Sequence, residues 1–236
     1  MKRIIQPALV LAALAFVAAP ALTPPFTGYD PGLFPVRVER PSIQPAGYAF
    51  AIWGVIYTWL AVSALFGLTR RSVAMWERTR LPLIGALALG TVWLAIANGF
   101  PITATVAIIA MAAFSLTAFL TASPTVDRWW LQAPLSMFAG WLTAASMVSL
   151  GVVLSGYGWL SDTATALAML TVVVVVALTV QSRRPTMPLY GAAVIWASVG
   201  VAVVNWQANP TVAYAAAAGA ALLTVAVVGL FLRRAA

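Results

Sequence analysis

Apolar residues run through this chain in long blocks, broken by short polar clusters rather than alternating with them. The blocks cover residues 4–22, 48–68, 81–97, 102–122, 130–154, 164–180, 189–204 and 212–232. Each approaches the ~20 residues that a helix needs to cross the hydrocarbon core of a bilayer. A helix is the only open-ended element that satisfies all its backbone groups there. The pattern therefore predicts an all-α integral membrane protein, a bundle of about eight transmembrane helices. Most connections are short, as at 99–101, 155–162 and 207–210. Residues 23–47 are the exception, with prolines at 24, 25, 31, 35, 41 and 45. So many prolines preclude a continuous helix. Long ordered connections often cover a site, and a plain surface tether fits this segment equally well.

The basic residues set the orientation. With the N-terminus inside and the spans alternating, 11 of the 13 Lys and Arg residues fall on the cytoplasmic side, leaving Arg37 and Arg40 outside. Retention of basic residues in the cytoplasm gives this asymmetry. Both termini are thus expected inside, and another number of spans would scatter the basic pairs. The first block, with Lys2 and Arg3 before it and Ala19-Pro20-Ala21 near its end, also has the form of a signal peptide. A retained helix is the reading adopted; cleavage would leave seven spans.

Composition agrees and then excludes. The chain is 63% hydrophobic and 8% charged, against about half and a quarter in soluble domains. A net charge of +8 invites a nucleic-acid reading. The basic residues, however, sit in pairs between apolar blocks rather than on one polar face, so membrane orientation accounts for them. Cys and His are both absent, which excludes disulfides, thiolate nucleophiles, imidazole bases and haem held by His or Cys. Lys2 is the only lysine, so no span carries a Schiff base. None of the five acids and no arginine lies inside an expected span. Ionisable groups at membrane depth mark ion and proton pathways, so a proton-coupled pump is not expected.

What remains inside the membrane is aromatic. Trp129, Trp130, Trp159 and Trp206 lie near expected interfaces, where tryptophan belts form. Trp53, Trp59, Trp93 and Trp141 lie deeper. At helical spacing Phe50, Trp53 and Tyr57 form one stripe, continued by Ala61 and Ala64. Pro134, Phe138, Trp141, Ala145 and Ser149 form a second. Such stripes pack against a neighbouring helix or wall a flat ligand, and spacing alone allows both. Asn98 and Ser149 are polar groups in apolar surroundings and need hydrogen-bond partners. The small residues of 214–222 suit close helix packing.

At these two stripes the sequence resembles the TspO/MBR family, the tryptophan-rich sensory proteins related to the mitochondrial translocator protein. Residues Pro45 to Tyr57, with Trp53-x-x-x-Tyr57 at their end, look like the family's second-helix signature. Residues Gly140 to Ser149 look like its fifth-helix pattern, with Ser149 where the family has Asn. Trp93 and Asn98 stand on the third helix, though not in the usual arrangement. The resemblance covers residues 1–155 as a five-helix core, and 156–236 would be a three-helix extension.

The resemblance implies a pocket between helices beneath the first loop, and a membrane sensor that binds a porphyrin, sterol or other lipophile. The expected site is Tyr48, Phe50, Trp53, Tyr57, Trp93, Asn98, Phe138, Trp141 and Ser149. Trp53, Tyr57 and Trp141 would stack, and Tyr48, Asn98 and Ser149 would hydrogen-bond. No cofactor is expected beyond a non-covalent porphyrin, no metal site, and no enzymatic activity, since acid–base groups are scarce. The expected partners are the bilayer, a small hydrophobic ligand and a second copy in a homodimer, with no nucleic acid. The expected location is the bacterial inner membrane. A carrier of a neutral lipophile is the alternative function.

Overall fold

A computed structural model describes residues 2–235 and is all-helical among them. The helices are α1 (Lys2–Leu22), α2 (Ile52–Phe66), α3 (Ala74–Ala97), α4 (Pro101–Thr121), α5 (Gln132–Gly156), α6 (Asp162–Arg183), α7 (Leu189–Asn205) and α8 (Pro210–Ala235). Short 3-10 segments, Gly47–Ala51 and Gly67–Arg70, extend α2 at both ends. With those extensions, seven helices are long and apolar enough to cross a membrane. The eighth, α7, has 17 residues, or ~25 Å of helix against ~30 Å of hydrocarbon. It packs on α5 and α8 and leaves a stripe of Ala192, Trp196, Val199 and Val203 exposed.

Contacts arrange the helices in two rings that share α5. One ring runs α1, α3, α4, α5, α2 and back to α1; the other runs α5, α7, α8, α6 and back to α5. Such a position demands a helix apolar or small on every face. The sequence of α5 fits, with Ala, Gly, Ser and Thr between its large residues, and nearly all of the helix is buried. Pro134 stands at its third position, where little backbone bonding is lost. Small residues let α7 approach closely. A Cβ added at Gly140 would lie 2.2 Å from the carbonyl oxygen of Tyr190. Tyr190 itself is buried, donates to Thr143 Oγ1 (3.1 Å) and stacks on Phe119 of α4.

The end opposite the long segment is closed by ionic and polar contacts. Here α3 begins earlier than the apolar block suggested, at Ala74 rather than residue 81, and this brings Glu77, Arg78 and Arg80 into its first turns. Arg80, expected outside the spans, is buried. Its guanidinium donates to the carbonyl oxygens of Arg70 (2.8 Å) and Arg71 (3.2 Å), the orphan acceptors at the end of the preceding helix. Asp127 accepts from Arg70 Nε (2.8 Å) and Trp76 Nε1 (2.8 Å). The hydrogen bond from Arg70, foremost, and that from Trp76 hold its carboxyl below the usual carboxylate range, against partial desolvation. Arg128 and Arg184 cross-brace this end by donating to the carbonyl oxygens of Thr186 and Leu120.

At the other end residues 23–46 form an ordered cover rather than a loose tether. Asp30 caps a single 3-10 turn, Pro31–Leu33. Val36 N donates to Gly156 O (2.9 Å) and Gln44 Nε2 to Thr27 O (3.0 Å). Gly28 has φ +135°, and a Cβ there would meet the Gln44 carboxamide at 2.9 Å. Only glycine is comfortable in that conformation.

Candidate ligand-binding site

The first ring does not pack solid. Between α1, α2, α3, α4 and α5 lies a cavity of about 250 Å³, lined by Phe16, Pro24, Trp53, Tyr57, Met111 and Leu142 among others. A smaller chamber of about 60 Å³ adjoins it beneath the cover, lined by Tyr29, Gln44, Pro45, Val148, Ser149 and Ala197 among others. Phe26, Phe50, Trp93, Ile108, Trp141 and Ala145 line both. The lining is almost wholly apolar and holds no charged side chain among the described residues.

The helical spacing of Phe50, Trp53 and Tyr57 puts all three on this wall. Trp53 and Tyr57 stack, with centroids 5.2 Å apart and planes at 19°. Trp141 meets Phe50 and Trp53 edge-on at 5.8 and 6.1 Å. Trp93 closes the α3 side, its indole N–H spent on Ala104 O (2.8 Å). Phe26 lies edge-on to Trp93 at 5.0 Å. Edge-to-face pairs of this kind fix ring orientation and add about 0.5–1.5 kcal/mol each.

One polar cluster faces the smaller chamber. Ser149 Oγ lies 2.6 Å from the Tyr29 hydroxyl and 2.7 Å from Thr105 Oγ1. The loop, α4 and α5 meet at this point. Burial, the largest influence, raises the Tyr29 phenol above its usual pKa, against the hydrogen bonds to Ser149 and Thr105. Tyr29 therefore stays a neutral phenol at physiological pH. A further polar group on the wall is Trp141 Nε1, which is buried and has no hydrogen-bond partner.

Six of the nine expected residues thus line the space: Phe50, Trp53, Tyr57, Trp93, Trp141 and Ser149. Three do not. Tyr48 is half exposed and packs edge-on against Trp196 at 5.5 Å, outside the first ring. It lies two residues before Phe50 on the 3-10 segment Gly47–Ala51, about 200° from Phe50 even by α-helical spacing, so it faces away from the wall. Asn98 caps the end of α3, is exposed and is not a lining residue; it donates to Pro24 O (3.4 Å). Phe138 is fully buried behind the wall, against Phe16 and Trp53. Sequence reasoning missed Tyr29, Thr105, Phe16 and Phe26. Tyr29 and Phe26 carried one signal, as aromatics within the proline-rich segment.

Eight apolar helices, with an uncharged aromatic cavity under an ordered cover, define a multi-pass integral membrane protein. The chain belongs to the TSPO-like protein family, whose model matches residues 4–229. That match runs beyond the motif-based resemblance, through α6 and α7 and most of α8. No curated protein and no solved structure matches the chain.

Proposed function

We propose that the protein is a membrane sensor that binds a flat, neutral, apolar molecule with one hydrogen-bond acceptor, in the cavity of its first five helices. The observation that carries this reading is the indole N–H of Trp141. It is buried beside the rings of Phe50 and Trp53 and bonds to nothing, and the indole that carries it lines both chambers. An unpaired buried donor costs about 1–3 kcal/mol, and a ligand carbonyl, ether or ring nitrogen removes that cost. Pockets for such ligands are apolar, with a few placed polar groups. The aromatic faces suit a porphyrin ring, and the absence of lining cations favours an uncharged one.

The two chambers together sit at the small end of the range for ligand pockets, about 300–1,000 Å³. A ligand of macrocycle size must therefore shift side chains that line both chambers, among them Phe26 of the loop. A carrier would also need an opening at the far end, where Asp127, Arg70 and Trp76 hold the helices together; the sensor reading needs none. The distribution of basic residues supports a bacterial inner membrane with both termini inside.

The test is a tryptophan-fluorescence titration in nanodiscs with protoporphyrin IX dimethyl ester, set against an unrelated amphiphile. The expected result is saturable quenching by the porphyrin ester alone, weakened about fivefold to 150-fold in Trp53→Ala, given about 1–3 kcal/mol for a lost stacking face. Equal, unsaturable quenching by both compounds would mean partition into lipid and sink the reading.

A further inference from the structure

The last three helices lie outside the ring that encloses the cavity, yet they supply most of the hydrogen bonds that fix the nearer half of its cover. Ser42 is the centre of this contact. Its backbone N–H and hydroxyl both donate to the carboxylate of Asp162, at 3.0 and 2.5 Å, at the start of α6. Its carbonyl accepts from Asn205 Nδ2 (2.7 Å) at the end of α7. Its hydroxyl also accepts from Asn209 Nδ2 (3.2 Å), and the same amide donates to Thr163 Oγ1 (2.8 Å). All the hydrogen-bonding groups of one loop residue are thus spent on α6, α7 and the turn before α8.

The contact continues toward the cavity. Ala46 N donates to Gly200 O (3.0 Å), and Trp196 Nε1 donates to Ala49 O (2.8 Å). Gly200 has no room for a side chain, since a Cβ there would lie 2.9 Å from Pro45 Cβ and 3.0 Å from Ala49 Cβ. Between these two anchor points, Gln44 and Pro45 face the smaller chamber, and Ala197 of α7 lines it directly. The farther half of the cover is fixed differently, by Phe26 on Trp93 and Tyr29 on Ser149, both within the first ring.

We propose that α6–α8 form a clamp that holds residues 42–49 in place as one wall of the cavity, with Asp162 as its latch and Gly200 as the seat of Pro45. The division of labour follows: helices α1–α5 make the ring, and α6–α8 set the position of its cover. Asp162 touches no part of the cavity and acts through Ser42, so it is a positioning residue. The clamp rests on the cavity reading only in its effect on ligand; its effect on the loop does not.

The test uses the full chain in nanodiscs, as wild type, Asp162→Ala and Asn205→Ala, each checked for an unchanged helical circular-dichroism spectrum. Arg37 is exposed and precedes Val38, while Arg40 precedes a proline and resists trypsin. The first readout is the rate at which trypsin releases the fragment ending at Arg37, followed by mass spectrometry. The second is affinity for protoporphyrin IX dimethyl ester. Cleavage is expected to rise about tenfold in Asp162→Ala, the fold-change that one charge-assisted hydrogen bond carries. Asn205→Ala is expected to show a smaller rise, and affinity to fall in the same order. Asn205→Ala decides the question if Asp162→Ala does not fold. Unchanged cleavage in the folded variants overturns the clamp. Faster cleavage with unchanged affinity overturns its role as a cavity wall. Faster cleavage with no saturable binding even in wild type leaves the latch standing and removes the binding reading.

Discussion

Gly140→Ala is expected to destabilise the protein by about 3 kcal/mol or more, at or above the top of the usual range for overpacking. The methyl group would sit 2.2 Å from the carbonyl oxygen of Tyr190 and 3.0 Å from its carbonyl carbon. These are backbone atoms of α7, so no rotamer change relieves the clash, and α5 and α7 must separate. Separation would break the Tyr190–Thr143 hydrogen bond and disturb the stack of Tyr190 on Phe119. Gly54→Ala is the matched control. Its Cβ meets nothing within 4 Å, and removing a helical glycine favours the fold by about 0.5–1 kcal/mol. Thermal unfolding in detergent should show a large fall for the first and no fall for the second. Equal behaviour would mean that α5 and α7 do not meet at backbone distance.

Trp141→Phe is expected to lower affinity for protoporphyrin IX dimethyl ester about fivefold to tenfold, the worth of one neutral hydrogen bond. Its effect on the stability of the empty protein should be small. The substitution loses ring contacts, but it also deletes a buried donor that has no partner. These contributions have opposite signs and similar size, on the order of 1–2 kcal/mol. Pyrene gives the second contrast, being flat and apolar with no acceptor. It should bind wild type and Trp141→Phe alike. Equal losses for both probes would make Trp141 a packing residue only, and a large fall in thermal midpoint would show that its N–H is satisfied within the protein.

The bundle was legible in the sequence because each span carries its own signal. Length, hydropathy and the placement of arginines fix a transmembrane helix without reference to its neighbours. The stripe Phe50, Trp53 and Tyr57 was legible for the same reason: helical spacing is local. Tyr48, two residues before Phe50, lies about 200° round a helix from it, and it packs on Trp196 outside the first ring. The hydroxyl cluster was out of reach. Tyr29 is 120 residues from Ser149, and Thr105 is 44 away. Nothing in the spacing brings a loop tyrosine between the early part of α4 and the later part of α5. Arg80 shows the same gap in another form. Hydropathy placed it outside a span, whereas its partners are the carbonyl groups of the preceding turn, a demand that appears only once the helix end is built. The latch at Ser42 depends on α6, α7 and the turn before α8 together, and no pairwise pattern signals it.

The most direct test of the cavity as the ligand site is to fill it. Ala145 is half-buried and lines both chambers. Ala145→Phe should occupy the space between Trp53, Trp93 and Trp141 while leaving the ring of helices intact, since filling a void tends to hold or raise stability. The measurement is the nanodisc titration with protoporphyrin IX dimethyl ester, run beside a thermal-unfolding scan of the same sample. The account predicts that saturable quenching disappears while the thermal midpoint stays the same or rises. Saturable quenching of wild-type affinity in a folded Ala145→Phe protein would contradict it, and would place the ligand elsewhere.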